Sequence, residues 1–138
     1  MSKFRKKILI YLLIMENNKP HRNLEVWKDS ISFVKELYEL TSNFPEEEKY
    51  NLVSQIRRAA VSIPANIAEG AARQTQKEFL QYLHVSSGSV SEIDTLLEIC
   101  KELSFLPEKK QADLQKQLSR ISAMLNGLIK KVKNDVNK

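Results

Sequence analysis

Between residues 55 and 73 the chain carries its densest set of groups able to bind or react: Gln55, Arg57, Arg58, Ser62, Asn66, Glu69 and Arg73. All but Arg57 follow one another at helical steps of three or four residues, so a helix here would gather them on one side. Three uses are open to them. Guanidinium groups beside an amide and a carboxylate can hold nucleic-acid phosphates or a partner protein. Ser62 and Asn66 can instead satisfy backbone groups freed by Pro64, with Glu69 pairing to Arg73 one turn on. The same network (Gln55, Ser62, Asn66, Glu69) can also hydrogen-bond across a subunit interface.

Other chemistry finds little support. A helical bundle can hold two metal ions through Glu-x-x-His pairs, but Gln81 stands three residues before His84, and the remaining histidine, His21, lies near the N-terminus. His84 therefore reads as a surface or interface residue, and no metal is expected. The single cysteine, Cys100, excludes an internal disulfide and a zinc-binding thiol cluster. It falls on an apolar helical seam, where a thiol acts as a small hydrophobe. No serine sits in a nucleophile elbow, and there is no glycine-rich phosphate loop. The expectation is a protein that is not an enzyme, with no catalytic residue, cofactor or small-molecule substrate.

The elements that must position these groups read as four amphipathic helices. The first is expected over residues 24–41, capped by Asn23. Trp27, Ile31, Val34 and Tyr38 line one side of it, and Phe33, Leu37 and Leu40 widen that stripe. Phe44 and Pro45 end the connection. The second helix starts at Glu46 or as late as Asn51 and stops at Gly70, a residue that tolerates left-handed geometry. Thr75 to Glu78 is a capping box that opens the third helix, whose seam runs Phe79, Leu83, Ser86, Val90, Ile93, Leu97 and Cys100. Pro107 marks the fourth, with a heptad seam of Leu114, Leu118, Ile121, Leu125, Leu128 and Val132. Small residues at the centre of the third helix (Ser86 to Ser91) and Ala59, Ala60, Ala65 and Ala68 in the second point to a tight helix–helix contact. Short connections give an all-α fold, an up-down-up-down antiparallel four-helix bundle.

The chain has 138 residues, enough for one domain, and three glycines and four prolines, too few for an all-β fold. Its net charge of +5 is unevenly spread. Residues 1–14 hold Lys3, Arg5, Lys6 and Lys7 and no acid, which leaves 18 basic against 17 acidic residues in the rest. Residues 107–138 carry eight basic and three acidic residues, so Lys109, Lys110, Lys116, Arg120, Lys130 and Lys131 join Arg57, Arg58 and Arg73 as candidate contacts to RNA, DNA or an acidic partner. A solvated helix face is the plainer use of the same charges.

Residues 1–14 join that basic start to an apolar run from Ile8 to Ile14. No signal-peptide cleavage site follows, and the run is far short of the ~20 residues that cross a bilayer. A peripheral membrane anchor is one reading. The other takes Met15 as the start of translation. Residues 1–22 are expected to form an extension outside the core, residues 23–134 the domain, and residues 135–138 a tail.

The stretch Gln55-Ile-Arg-Arg-Ala-Ala-Val-Ser-Ile-Pro-Ala-Asn-Ile-Ala-Glu-Gly70 closely resembles the small four-helix-bundle proteins encoded by intervening sequences in bacterial 23S rRNA genes. The likeness takes in Trp27, Phe44-Pro45 and Gly88-Ser-Val-Ser-Glu-Ile, and covers residues 24–128. It implies a bacterial, cytoplasmic homo-oligomer, typically a pentameric ring. It extends to accessory proteins of diversity-generating retroelements, similar bundles that engage nucleic acid and a reverse transcriptase. Those relatives are markedly basic, whereas residues 15–138 here carry a net charge of only +1. The expected function is a non-enzymatic scaffold or binding module, with RNA, DNA or another protein as partner. A peripheral membrane protein using residues 1–14 and an enzyme of unrecognised type are the alternatives.

Overall fold

The computed structural model of the protein describes residues 2–17 and 19–138. The side chains of residues 13–17, Ile14 and Met15 among them, lie outside the described ones. Among the described residues the protein is all-α, with five α-helices, two short 3-10 turns and no strand. The helices are α1 (Lys3–Asn17), α2 (Glu25–Thr41), α3 (Leu52–Ala71), α4 (Gln76–Glu102) and α5 (Glu108–Val136). One more helix is therefore present than the sequence predicts, and it occupies the N-terminal extension. The 3-10 turns are Pro20–Asn23 and Glu46–Glu48.

The most extensive contact joins α3 to α4, followed by α4 with α5 and α2 with α3, and α2 meets α5 to close the circuit. The core lies between these four. Phe33 and Leu37 enter it from α2, Ile56, Ile63 and Ile67 from α3, Leu83, Ile93 and Leu97 from α4, and Leu114, Ile121 and Leu125 from α5. Burying each such side chain is worth roughly 1.5–3 kcal/mol. The seams predicted for α4 and α5 are the ones buried, apart from Phe79 and Leu128, which are only partly covered.

In α2 the two apolar stripes exchange roles. Val26, Phe33 and Leu37 face the core, while Ile31 and Tyr38 are exposed and Trp27 and Val34 are half-buried. A 17-residue helix that is apolar on two sides offers periodicity two solutions, and the interior takes the stripe that holds Phe33. Buried Ser30 donates to the Trp27 carbonyl at 2.8 Å and Thr41 to the Leu37 carbonyl at 2.6 Å, so both hydroxyls are satisfied locally.

Several boundaries differ from expectation. Leu24, not Asn23, precedes α2, and no side chain caps the helix; Asn23 closes a 3-10 turn that packs on α2 and α3. That turn begins in the segment assigned to the extension, and its His21 stands edge-on to Trp27 at 4.9 Å between ring centres. α5 runs to Val136, two residues into the assigned tail. Thr75 does cap α4: its Oγ1 accepts from the Glu78 amide at 3.1 Å and donates to Glu78 Oε1 at 2.9 Å.

Gly70 is not a left-handed stop. It lies inside α3, which ends at Ala71 with the next residue, Ala72, in ordinary helical geometry, and no described glycine has positive φ. A β-carbon on Gly70 would lie 2.6 Å from Tyr82 Cβ and 3.0 Å from Phe79 Cδ1. The glycine is there because α4 passes too close for any side chain. The left-handed stop belongs instead to Ser104, at φ 57° just beyond α4, where the Phe105 amide reaches back to the Cys100 carbonyl at 3.0 Å.

Gly70→Ala is expected to destabilise the protein by about 1–3 kcal/mol, since the crowding atoms belong to a packed helix. Gly88→Ala and Gly127→Ala, exposed helical positions where an added β-carbon meets nothing within 4 Å, are expected to stabilise it by roughly 0.5–1 kcal/mol. Thermal unfolding of the three variants checks the opposite signs. Ile121→Asp, at a site only 1% exposed, is expected to cost about 4 kcal/mol or more, as a buried apolar group gives way to an unpaired charge. Its denaturant midpoint should fall accordingly.

Candidate functional site

Arg57 and Arg58 are neighbours in sequence with separate duties. Half-buried Arg57 turns toward α2, where Nε donates to Thr41 Oγ1 at 3.0 Å and Nη2 to the Tyr38 carbonyl at 3.1 Å. Its guanidinium lies 4.5 Å from the centre of the Tyr38 ring. The last carbonyls of a helix need donors, and a cation suits the negative end of the dipole. Arg57 is thus a clamp on the end of α2. Arg58 is exposed and makes no ion pair among the described residues.

The rest of the network turns toward α4. Asn66 Nδ2 donates to the Ser62 carbonyl at 2.8 Å and to Ser62 Oγ at 2.9 Å, and Ser89 Oγ donates to Ser62 Oγ at 2.8 Å. Pro64 has no N–H for the Ala60 carbonyl four residues back, yet Asn66 and Ser62 bond each other and not that group. Buried Ser86 donates to the Ile63 carbonyl at 2.9 Å, a link that periodicity gave no sign of. Glu69 and Arg73 pair at 2.9 Å, and the Tyr82 hydroxyl joins both. The Tyr82 hydroxyl, then Glu69, favour the charged form of Arg73 and raise its pKa. Gln55 is exposed and stands apart from this network.

The basic residues of α5 fall into three groups. Lys109, Lys110 and Lys116 are exposed around Asp113 near its start. Arg120 pairs with Asp29 of α2 at 3.1 Å. Lys130 and Lys131 are exposed near its end, ~30 Å from the first group along the helix. Gln76 Nε2 approaches Asp135 Oδ2 at 3.4 Å, which puts the start of α4 beside the end of α5. Lys77, Lys130, Lys131 and Lys133 therefore share one end of the molecule with Arg73.

Among the described residues no three His, Cys, Asp or Glu side chains come together as metal ligands. His84 is exposed on α4. Burial pushes the Cys100 thiol up to about 11, which suppresses the reactive thiolate at neutral pH. Partial burial, then Arg22 and Lys19, lower the pKa of His21. A cleft of about 720 Å³ between the end of α4 and the start of α5 is lined by Asp94, Glu98, Lys101, Glu108 and Gln111. Gln111 Nε2 donates to the Leu97 carbonyl at 2.6 Å, and its buried Oε1 has no partner among the described residues.

A different surface stands out, built in part from the apolar side that the sequence shows on α2. Ile31, Val34 and Tyr38 of α2 and Val61 and Pro64 of α3 line an open groove of about 530 Å³, with Lys35 and Glu39 on its edges. Ile31, Tyr38 and Val61 are each 41–45% exposed. Pro64 contributes an apolar ring to this groove.

Among proteins of curated function no sequence matches this chain. Among solved structures, the chain is similar to a protein of unknown function from the S23 ribosomal protein family of Bacteroides thetaiotaomicron. The two are 24% identical with a TM-score of 0.71, and the match covers 76% of this chain and 95% of that one. At that identity the likeness speaks for the fold. The profile of the 23S rRNA-intervening sequence proteins matches residues 22–127, a span that contains α2, α3, α4 and most of α5, and the chain belongs to that family.

Proposed function

We propose that the protein is a non-enzymatic, self-assembling module, an up-down-up-down four-helix bundle formed by α2 to α5 that joins further copies through its α2–α3 face. The observation that carries this reading is the apolar groove of Ile31, Val34, Tyr38, Val61 and Pro64. An exposed groove lined by apolar side chains is the usual mark of an interface. Lys35 and Glu39 at its edges supply opposite charges of the kind that set register between copies. A pentameric ring in a bacterial cytoplasm is what the sequence resemblance implies.

The assembly serves as a scaffold that presents its basic ends many times over. Exposed Lys130 and Lys131, with Lys77 at the same end, favour phosphate-rich nucleic acid as partner. Arg57, Arg73 and Arg120 are engaged within the fold, so lysines provide most of the available charge. Repetition around an assembly multiplies a weak patch.

Light scattering of the wild type at micromolar concentration is expected to give a multiple of the 15.9 kDa chain mass. Ile31→Glu with Val61→Glu is expected to give the monomer mass with little change in melting temperature, because both side chains lie outside the core. A monomeric wild type would count against self-assembly. In anisotropy titrations with single-stranded RNA, affinity is expected to fall steeply with salt and vary little with sequence. Lys130→Glu with Lys131→Glu is expected to weaken binding and flatten the salt dependence by roughly one to two units of slope. No binding by the wild type at low salt would leave a protein-binding scaffold.

A further inference from the structure

α1 stands apart in its electrostatics and its surface. Ser2 caps it, accepting from the Arg5 amide at 3.2 Å. Its first turns then carry Lys3, Arg5, Lys6 and Lys7, and its opening turn holds no acid. Cations at a helix N-terminus add to the positive end of the dipole and oppose the helix. Every side chain described on α1, from Lys3 to Leu12, is exposed. Those of Phe4 and of the unbroken run from Ile8 to Leu12 are 43–74% exposed. A 15-residue helix is marginal by itself in water. This one carries a charge arrangement that weakens it further and apolar side chains on all sides.

We propose that α1 is a peripheral membrane anchor, and that its partner is the surface of a bilayer containing anionic phospholipids. Such a surface answers both peculiarities at once. Headgroup phosphates neutralise the four cations together with the free amides of the first turn. The acyl boundary receives Phe4 and, one to three turns beyond the first lysine, Ile8 to Leu12. The helix rests in the interface, since no helix among the described residues is long and apolar enough to cross a membrane. RNA fits less well, because phosphates would engage the cations and leave the five consecutive apolar side chains in water. A second α1 fits less well too, because side-by-side pairing in register brings eight cations together. This anchor stands independently of the α2–α3 groove, on residues that the self-assembly reading does not use.

The test is flotation of the full chain with vesicles of phosphatidylcholine, or of phosphatidylcholine with about one third phosphatidylglycerol. Four cations near an anionic surface should make binding at least about tenfold tighter on the mixed vesicles. Lys6→Glu with Lys7→Glu should abolish that preference, and Leu9→Asp with Leu12→Asp should abolish flotation on both. The melting temperature should stay unchanged, as these side chains are exposed. Absence of flotation, equal binding to both vesicles, or flotation by the Leu9→Asp, Leu12→Asp variant would overturn the proposal. So would RNA binding that needs Lys6 and Lys7 but is indifferent to Leu9 and Leu12, in a protein that does not float.

Discussion

The close approach of α3 and α4 is the constraint on which the rest of the structure hangs. It is tightest at Gly70, where Tyr82 and Phe79 occupy the space that a side chain would need. Farther along, Ala59 and Ala60 are buried, Ser86 reaches the Ile63 carbonyl, and Ser89 reaches Ser62. Small residues let two backbones approach, and the serines supply polar links that a purely apolar seam would lack. A hydroxyl buried in this way costs little only while its acceptor stays in place. The contact is therefore specific in register as well as tight. With α3 and α4 fixed, α2 and α5 close the core from the other side, joined by the Arg120–Asp29 pair and by Gln117, which donates to Glu36 at 2.6 Å.

The same packing decides which charges remain for a ligand. Arginine's planar fork suits fixed, multiple hydrogen bonds, and here it is used that way. Arg57 holds the end of α2, Arg73 joins Glu69 and Tyr82, and Arg120 ties α5 to α2. Exposed lysines, with Arg58, are left to face solvent. Lysine acts as a mobile point charge, suited to diffuse attraction of phosphates and poorly suited to reading bases. A nucleic-acid partner met through such groups would be held by its backbone.

Much of this was legible in the sequence because single signals sufficed. The capping box at Thr75, Pro107 before α5, and the seams of α4 and α5 each follow from one local rule. The Glu69–Arg73 pair followed from its spacing alone. What escaped prediction depended on neighbours distant in sequence. Gly70 reads as a helix stop until Tyr82 is seen beside it. Arg57 and Arg58 both read as candidate contacts to a partner until Thr41 claims one of them. Asn23 looks like a cap, but the chain before α2 folds into a 3-10 turn against Trp27. Ser62 and Asn66 looked like a repair for Pro64, and instead they meet each other and Ser89.

The misreading of α2 has a physical meaning of its own. Its sequence carries two apolar stripes, Val26–Phe33–Leu37 and Trp27–Ile31–Val34–Tyr38, and a monomer core can cover only one. The buried stripe accounts for the fold. The other begins under the turn at His21 and continues beside Val61 and Pro64, with Trp27 and Val34 half-buried and Ile31 and Tyr38 exposed. A helix that only had to cover one subunit's core would carry polar residues there. Proline in mid-helix fits the same logic: it removes a backbone donor, and buried Pro64 lies along the floor of that groove. Under the self-assembly reading, both oddities have one cause, a helix pair that packs inward against its own subunit and outward against the next. The ambiguity that defeats periodicity in α2 is then a sequence-level trace of the interface.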